Sequence, residues 1–163
     1  MYVAASIPYS YSRLVRFLDS VEKVARLNSS IYLKKETHIN SISSNCSPVL
    51  TLTWKRDKKD KTTGQKKIIA IIARQHPSET ASSFVMEGVI NSLVYMSSEQ
   101  SVELLKKYIF KIIPMFNVDG VIYGNSRCDI SGSDINRKWT KSPNSFLYPV
   151  TSSAKKLYHQ LIT

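Results

Sequence analysis

An apolar run, Ile68 to Ala73, is followed by Arg74-Gln75 and then by His76-Pro77-Ser78-Glu79-Thr80. A helical pattern begins directly afterwards. An imidazole and a carboxylate three residues apart can converge on one point if the chain turns between them. Pro77, with its fixed φ and missing N–H, favours such a turn. Two histidines and a glutamate form one known type of catalytic zinc site, so His76 and Glu79 are candidate zinc ligands. Glu79 near a helix start also gains from the helix dipole. The plainer alternative is a surface histidine beside a helix capped by Ser78. An HxxE pattern alone does not separate the two.

A second stretch bears on the choice. Met115 to Trp139 is dense in Gly, Asn, Asp and Ser and shows no clear regular pattern. A segment of that length is unusual in a compact domain and is often functional. It contains Asn117-Val118-Asp119-Gly120, Gly124-Asn125-Ser126-Arg127-Cys128 and Asp134-Ile135-Asn136-Arg137-Lys138-Trp139. Arginine suits bidentate recognition of carboxylates and stabilisation of an oxyanion, which makes Arg127 and Arg137 candidates for both tasks. Asn136 offers an amide donor to the same anion. The alternative is a structured loop whose arginines pair with Asp119, Asp129 or Asp134.

The elements that must hold these residues read as follows. Tyr2 to Ser6 is a short strand, and Ser10 or Ser12 caps a helix with Leu14, Phe17, Leu18, Val21, Val24 and Ala25 on its apolar face. Ile31 to Ile39 is a strand, Asn40 to Pro48 a loop, and Val49 to Trp54 a strand. Ile68 to Ala73 is wholly apolar, the pattern of a strand buried on both faces at the centre of a sheet. Between them, Lys55 to Lys67 reads as a charged hairpin tip with seven basic residues and two Asp. A helix from Thr80, a shorter one from Ser98 to Leu105, a strand from Tyr108 to Ile113 and a helix from Ser152 to Ile162 complete the order. That order specifies an α/β fold, a mixed β-sheet flanked by helices. Ligands bind at the carboxyl ends of strands in such sheets, and both candidate stretches follow strand ends.

The 163 residues are 42% hydrophobic and 21% charged, as expected of a folded domain, and the net charge is +11. A basic surface favours acidic partners. The basic stretch has no interleaved aromatics and matches no nucleic-acid motif, so specific nucleic-acid binding ranks last. Cys46 and Cys128 are too few for a disulfide framework. No basic leader region and no apolar stretch of membrane-spanning length is present, which leads to the expectation of a cytoplasmic protein with no membrane partner.

Taken in order, His76-Pro77-Ser78-Glu79-Thr80 and the three motifs of the later stretch resemble the zinc metallocarboxypeptidases, in particular the cytosolic carboxypeptidases, which include tubulin deglutamylases. Pro8-Tyr9-Ser10-Tyr11 resembles the start of that subfamily's catalytic domain. The resemblance implies that residues 1–163 form the N-terminal portion of such a domain, an α/β/α sandwich incomplete at its C-terminal side. It implies Zn2+ held by His76 and Glu79, Arg127 polarising the scissile carbonyl, and Asn136 with Arg137 gripping the substrate's C-terminal carboxylate. The implied substrate is an acidic polypeptide, tubulin tails among them. Ser78 stands where the family has Gly, and Val118 where it has Pro. The family's third ligand, a His, and its general-base Glu lie later in the chain, whereas no Glu follows Glu103 here. His38 precedes the motif, and His159 reads as a surface histidine on the last helix. The expectation is a zinc carboxypeptidase by family, inactive and poorly stable as this chain, with an unpaired sheet edge. The alternative is a non-catalytic module that binds acidic tails.

Overall fold

The computed structural model describes residues 4, 6–55, 66–96, 98–140 and 143–162. Helix α1 spans Tyr11–Leu27, and the Ser10 side chain caps it by accepting from the Arg13 N–H at 3.2 Å. Leu14, Leu18, Val21 and Ala25 recur at helical spacing and are buried. Each of the larger three contributes about 1.5–3 kcal/mol by leaving water. Strand β1, Ile31–Asn40, pairs antiparallel with β2, Cys46–Trp54. Pairing begins three residues earlier in β2 than the alternation suggested. Pro48 has no N–H to give a ladder, and it lies opposite a bulge, since Glu36 pairs with Val49 and Ile39 with Ser47.

Strand β3 is Lys67–Ile72 and β4 is Tyr108–Ile113. The sheet order is β1-β2-β4-β3, with β4 antiparallel to β2 and parallel to β3. Helices α2 (Ala81–Val94) and α3 (Glu99–Lys107, capped by Ser98) make the crossover between the two parallel strands. A short helix α4 (Val118–Tyr123), a 3-10 turn (Ile135–Arg137) and helix α5 (Pro149–Ile162) follow. Pro149 opens α5 three residues before the expected start, where its missing N–H costs nothing.

Successive strand residues point to opposite faces of the sheet. One face, with Ile31, Leu50, Leu52, Phe110 and Ile112, packs on α1, α2 and α3. The other, with Ile39, Val49, Ile113 and Ile72, packs on α5 through Val150, Ala154, Leu157 and Tyr158. This is the expected mixed α/β sandwich. Arg13 ties α1 to α2, donating from Nε and Nη2 to the two oxygens of Glu87 at 3.1 and 2.9 Å. No described helix is long and apolar enough to cross a membrane.

Several expectations change. The Lys55–Lys67 stretch is not a hairpin, because β4 lies between β2 and β3; residues 56–65 lie outside the described residues. Of the expected Tyr2–Ser6 strand, Ala4 and Ser6 are in no strand, and residues 2, 3 and 5 lie outside the described set. The Met115–Trp139 stretch is not without regular structure, since it contains α4 and the 3-10 turn. Strand β3, expected at the buried centre, is an edge of the four-stranded sheet. Ile68 is 37% exposed there, and Ala70 is exposed as well. An apolar strand with an open hydrogen-bonding edge is a template for pairing with another chain.

Two outcomes follow. Ile68→Lys places a charge on that edge and lowers self-association, read by light scattering or gel filtration, with the far-UV circular dichroism unchanged. For Glu87, burial alone would raise the pKa, but the Arg13 fork and the Tyr9 hydroxyl together hold the carboxyl below the usual carboxylate range. A group whose pKa is depressed on folding binds fewer protons in the native state. Its stabilisation is complete above the unfolded carboxylate value and is lost as the pH falls through the folded one. Glu87→Gln therefore costs about 1 kcal/mol at pH 7 in urea unfolding and flattens the acid limb of the stability profile.

Candidate active site

The ends of β3 and β4 meet. The ladder continues past both strands: Ala73 N–H donates to the Ile113 carbonyl at 2.9 Å, Phe116 N–H to Ala73 at 2.9 Å and Asn117 N–H to Arg74 at 3.1 Å. Arg74 then takes a left-handed conformation, φ 53°, and the chain leaves the sheet for a tight turn. Within the turn, Glu79 N–H donates to the His76 carbonyl at 3.2 Å. The Ser82 hydroxyl, not Ser78, ties the turn to α2, accepting from Arg74 N–H at 3.2 Å and donating to the Glu79 carbonyl at 2.7 Å.

After β4, the Asn117 side chain caps α4 by accepting from Gly120 N–H at 3.0 Å, and Gly124, φ 76°, ends the helix in the left-handed region. Gly120 is forced by space. A Cβ there would lie 2.4 Å from Pro77 Cγ and 2.9 Å from the Cys128 carbonyl oxygen. The α4 backbone is thus in direct contact with the His76–Glu79 turn and with the loop that carries Arg127.

Three aspartates of that region have separate tasks. Asp119 is buried and accepts from Ser41 Oγ (2.6 Å), Ser43 N–H (3.0 Å) and Asn45 Nδ2 (2.9 Å), tying α4 to the β1–β2 loop. Asp129 Oδ1 accepts from Ser131 N–H (2.9 Å), Ser131 Oγ (2.6 Å) and Ser133 N–H (3.1 Å), which shapes the loop itself. Asp134 faces the site. Its Oδ2 accepts from Arg127 Nε at 2.8 Å, and its Oδ1 meets His76 Nε2 at 3.1 Å and Asn136 N–H at 3.0 Å. Burial would raise the Asp134 pKa, but His76 and Arg127 hold it below the usual range.

His76 is buried, with Nδ1 2.8 Å from Oε1 of the exposed Glu79. The Asp134 and Glu79 carboxylates can only accept, so each calls for a donor on the ring nitrogen that it faces. A neutral imidazole supplies one donor and turns its other lone pair toward a carboxylate oxygen. Two acceptors at that distance require a cation between them, either a second imidazole proton or a metal ion. Two ligands on a tetrahedral zinc stand about 3.3 Å apart, about half an ångström more than this pair. A carboxylate behind the distal nitrogen of a metal-binding histidine is the usual support for such a ligand. Among the described residues, no group of three or more His, Cys, Asp or Glu is placed to hold a metal.

The structure therefore brings His76, Glu79 and Arg127 together through Asp134. Asn136 and Arg137 lie on the adjoining 3-10 turn, and their side chains make no hydrogen bond to a described residue. Of the pairings that Arg127 and Arg137 could have made, only Arg127 with Asp134 forms. Trp139 closes the far side, stacking on Phe116 at 5.3 Å and donating Nε1–H to Gln75 Oε1 at 3.3 Å. His159 is exposed on α5, and the His38 side chain lies outside the described residues. Asp134 is the site residue that sequence reading missed. Its only signal was its place two residues before Asn136, where it looked like one of three equivalent partners for an arginine.

His76 and Glu79 stand side by side, with Arg127 held next to them by Asp134, at the carboxyl edge of the mixed sheet of an α/β domain. The family model for zinc carboxypeptidases matches residues 19–160, and the chain belongs to that family. It is 40% identical to cytosolic carboxypeptidase 1 of Danio rerio over 164 residues, 98% of this chain and 14% of that protein. It is 39% identical to cytosolic carboxypeptidase 4 of Homo sapiens over 165 residues, again 98% of this chain and 14% of the relative. The metallo-carboxypeptidase from Burkholderia cenocepacia superimposes with a TM-score of 0.77 at 27% identity, covering 94% of this chain and 39% of that one. The chain thus spans about a seventh of the length of these curated relatives.

Gly120→Ala tests the close packing under the turn. The added methyl has to displace Pro77 and backbone, and the variant loses about 1–3 kcal/mol in thermal or urea unfolding.

Proposed function

We propose that this chain carries the first half of a zinc carboxypeptidase site, with His76 and Glu79 as zinc ligands. The observation that carries the reading is the His76 Nδ1–Glu79 Oε1 pair at 2.8 Å with Nε2 held by Asp134. When bound, zinc supplies Lewis-acid polarisation and a water of lowered pKa. Asp134 holds His76 in the tautomer that leaves Nδ1 available. Arg127 is oriented through Nε, and its terminal nitrogens make no hydrogen bond to a described residue, so they can stabilise charge on a substrate carbonyl oxygen. Asn136 and Arg137, equally unengaged, bind and orient a C-terminal carboxylate.

The substrate class is an acidic polypeptide, from which C-terminal or side-chain glutamates are removed, with tubulin tails as the leading example. The net charge of +11 and the names of the relatives support this reading. The same names support a cytoplasmic location. With two ligands and no Glu beyond Glu103, we expect the 163-residue chain to bind zinc weakly and to turn over no substrate alone. The unengaged Asn136 and Arg137 side chains would still serve a module that binds acidic tails without cleaving them.

Competition with a chromophoric chelator reads the metal. The chain takes up zinc at neutral pH, His76→Ala/Glu79→Ala does not, and Asp134→Ala weakens uptake by about 10–100-fold. Equal uptake by the wild type and the double variant would sink the metal assignment. Glutamate release from a C-terminally glutamylated peptide, abolished by chelator, would overturn the expected inactivity. Peptide binding without release favours the binding module.

A further inference from the structure

Arg74 stands two residues before His76, is 4% exposed and has a left-handed backbone with φ 53°. Its guanidinium sits among neutral acceptors. Nε–H donates to the Pro77 carbonyl at 2.8 Å, Nη1 to Ser83 Oγ at 2.9 Å and Nη2 to the Tyr9 carbonyl at 3.3 Å. Among the described residues, no carboxylate is within ion-pair distance of it. Burying a charge without a counter-ion is unfavourable, and a non-glycine residue at positive φ is strained. Both costs fall on one buried residue beneath the site.

The contacts show what they achieve. The Pro77–Ser78 peptide is held on both sides. Arg74 takes its carbonyl, and its N–H donates to the Ser126 carbonyl at 2.9 Å. Ser126 directly precedes Arg127. One peptide plane therefore links the turn that carries His76 and Glu79 to the loop that carries Arg127, and the guanidinium sets the orientation of that plane. Tyr9 and Ser83 hold the guanidinium from the other side, so the setting is referred to the segment before α1 and to α2. Lysine could not reproduce this, because its ammonium lacks the rigid planar fork.

We propose that Arg74 is a positioning residue for this site: through the Pro77–Ser78 peptide it sets where Arg127 stands relative to His76 and Glu79. The functional consequence rests on the zinc reading above; the mechanical link does not. The test therefore uses two readouts on the full chain, amide hydrogen exchange by NMR and zinc uptake by chelator competition, for Arg74→Gln and Arg74→Lys. In a folded Arg74→Gln variant, exchange at the Ser78 amide quickens by about tenfold or more while amides of β2 and β4 keep their protection. Zinc affinity falls by about tenfold. Arg74→Lys keeps the charge but loses the fork, so it behaves like Arg74→Gln at Ser78, and it replaces that variant if the glutamine protein does not fold. Ser78 protection within about twofold of wild type overturns the proposal. So does a loss spread evenly over β2 and β4, which marks a merely structural residue. If the wild-type chain takes up no zinc, the zinc reading fails and the Ser78 amide alone decides the role of Arg74.

Discussion

The parallel pairing of β3 with β4 is the constraint on which the site depends. Residues 76 and 117 are far apart in sequence, yet the strands that precede them run side by side and end together. The ladder continues through Ala73, Arg74, Phe116 and Asn117, so the two chain segments leave the sheet already bonded to each other. A parallel pair needs a crossover, and α2 with α3 supplies it while covering one face of the sheet. Among the described residues the same topology leaves one side of β3 unpaired, so the strand that delivers His76 is also an edge.

Beyond the strands, polar side chains do the work that regular structure does elsewhere. Asp119 ties the segment after β4 to the β1–β2 loop, and Asp129 shapes that segment from within. Asp134 divides its carboxylate among His76, Arg127 and the Asn136 N–H. One side chain thereby holds the histidine ring and orients the arginine. Gly120 and Pro77 add a steric condition, because only the absence of a Cβ lets α4 sit against the turn. The buried Arg74 completes the set from beneath. His76, Arg127 and the loop between them are thus fixed by a few directional contacts more than by apolar packing.

Membership of the zinc carboxypeptidase family gives these contacts a chemical meaning. His76, Glu79, Arg127, Asn136 and Arg137 follow the ends of β3 and β4, and the relatives that the chain matches are several times longer than it. The arrangement here fixes orientation and charge through set dipoles and rigid placement.

Much of this was legible in the sequence because it is local. Helical spacing revealed α1, α2 and α3; the apolar runs revealed β3 and β4; and the ordered motifs singled out His76, Glu79, Arg127, Asn136 and Arg137. Each of those signals lies within a few residues. What lay outside such windows was decided by the tertiary structure. An apolar run reads the same whether it becomes a central strand or an edge, so the place of β3, and the insertion of β4 where a hairpin was expected, depended on which strands pair. Three aspartates in one stretch look alike until the fold sets only Asp134 against His76. Arg74 reads as an ordinary charge at a strand end, and its burial against Tyr9, Pro77 and Ser83 comes from contacts that sequence spacing does not encode. The residue types determined what chemistry this chain could hold; the pairing of β3 with β4 decided which of those residues meet.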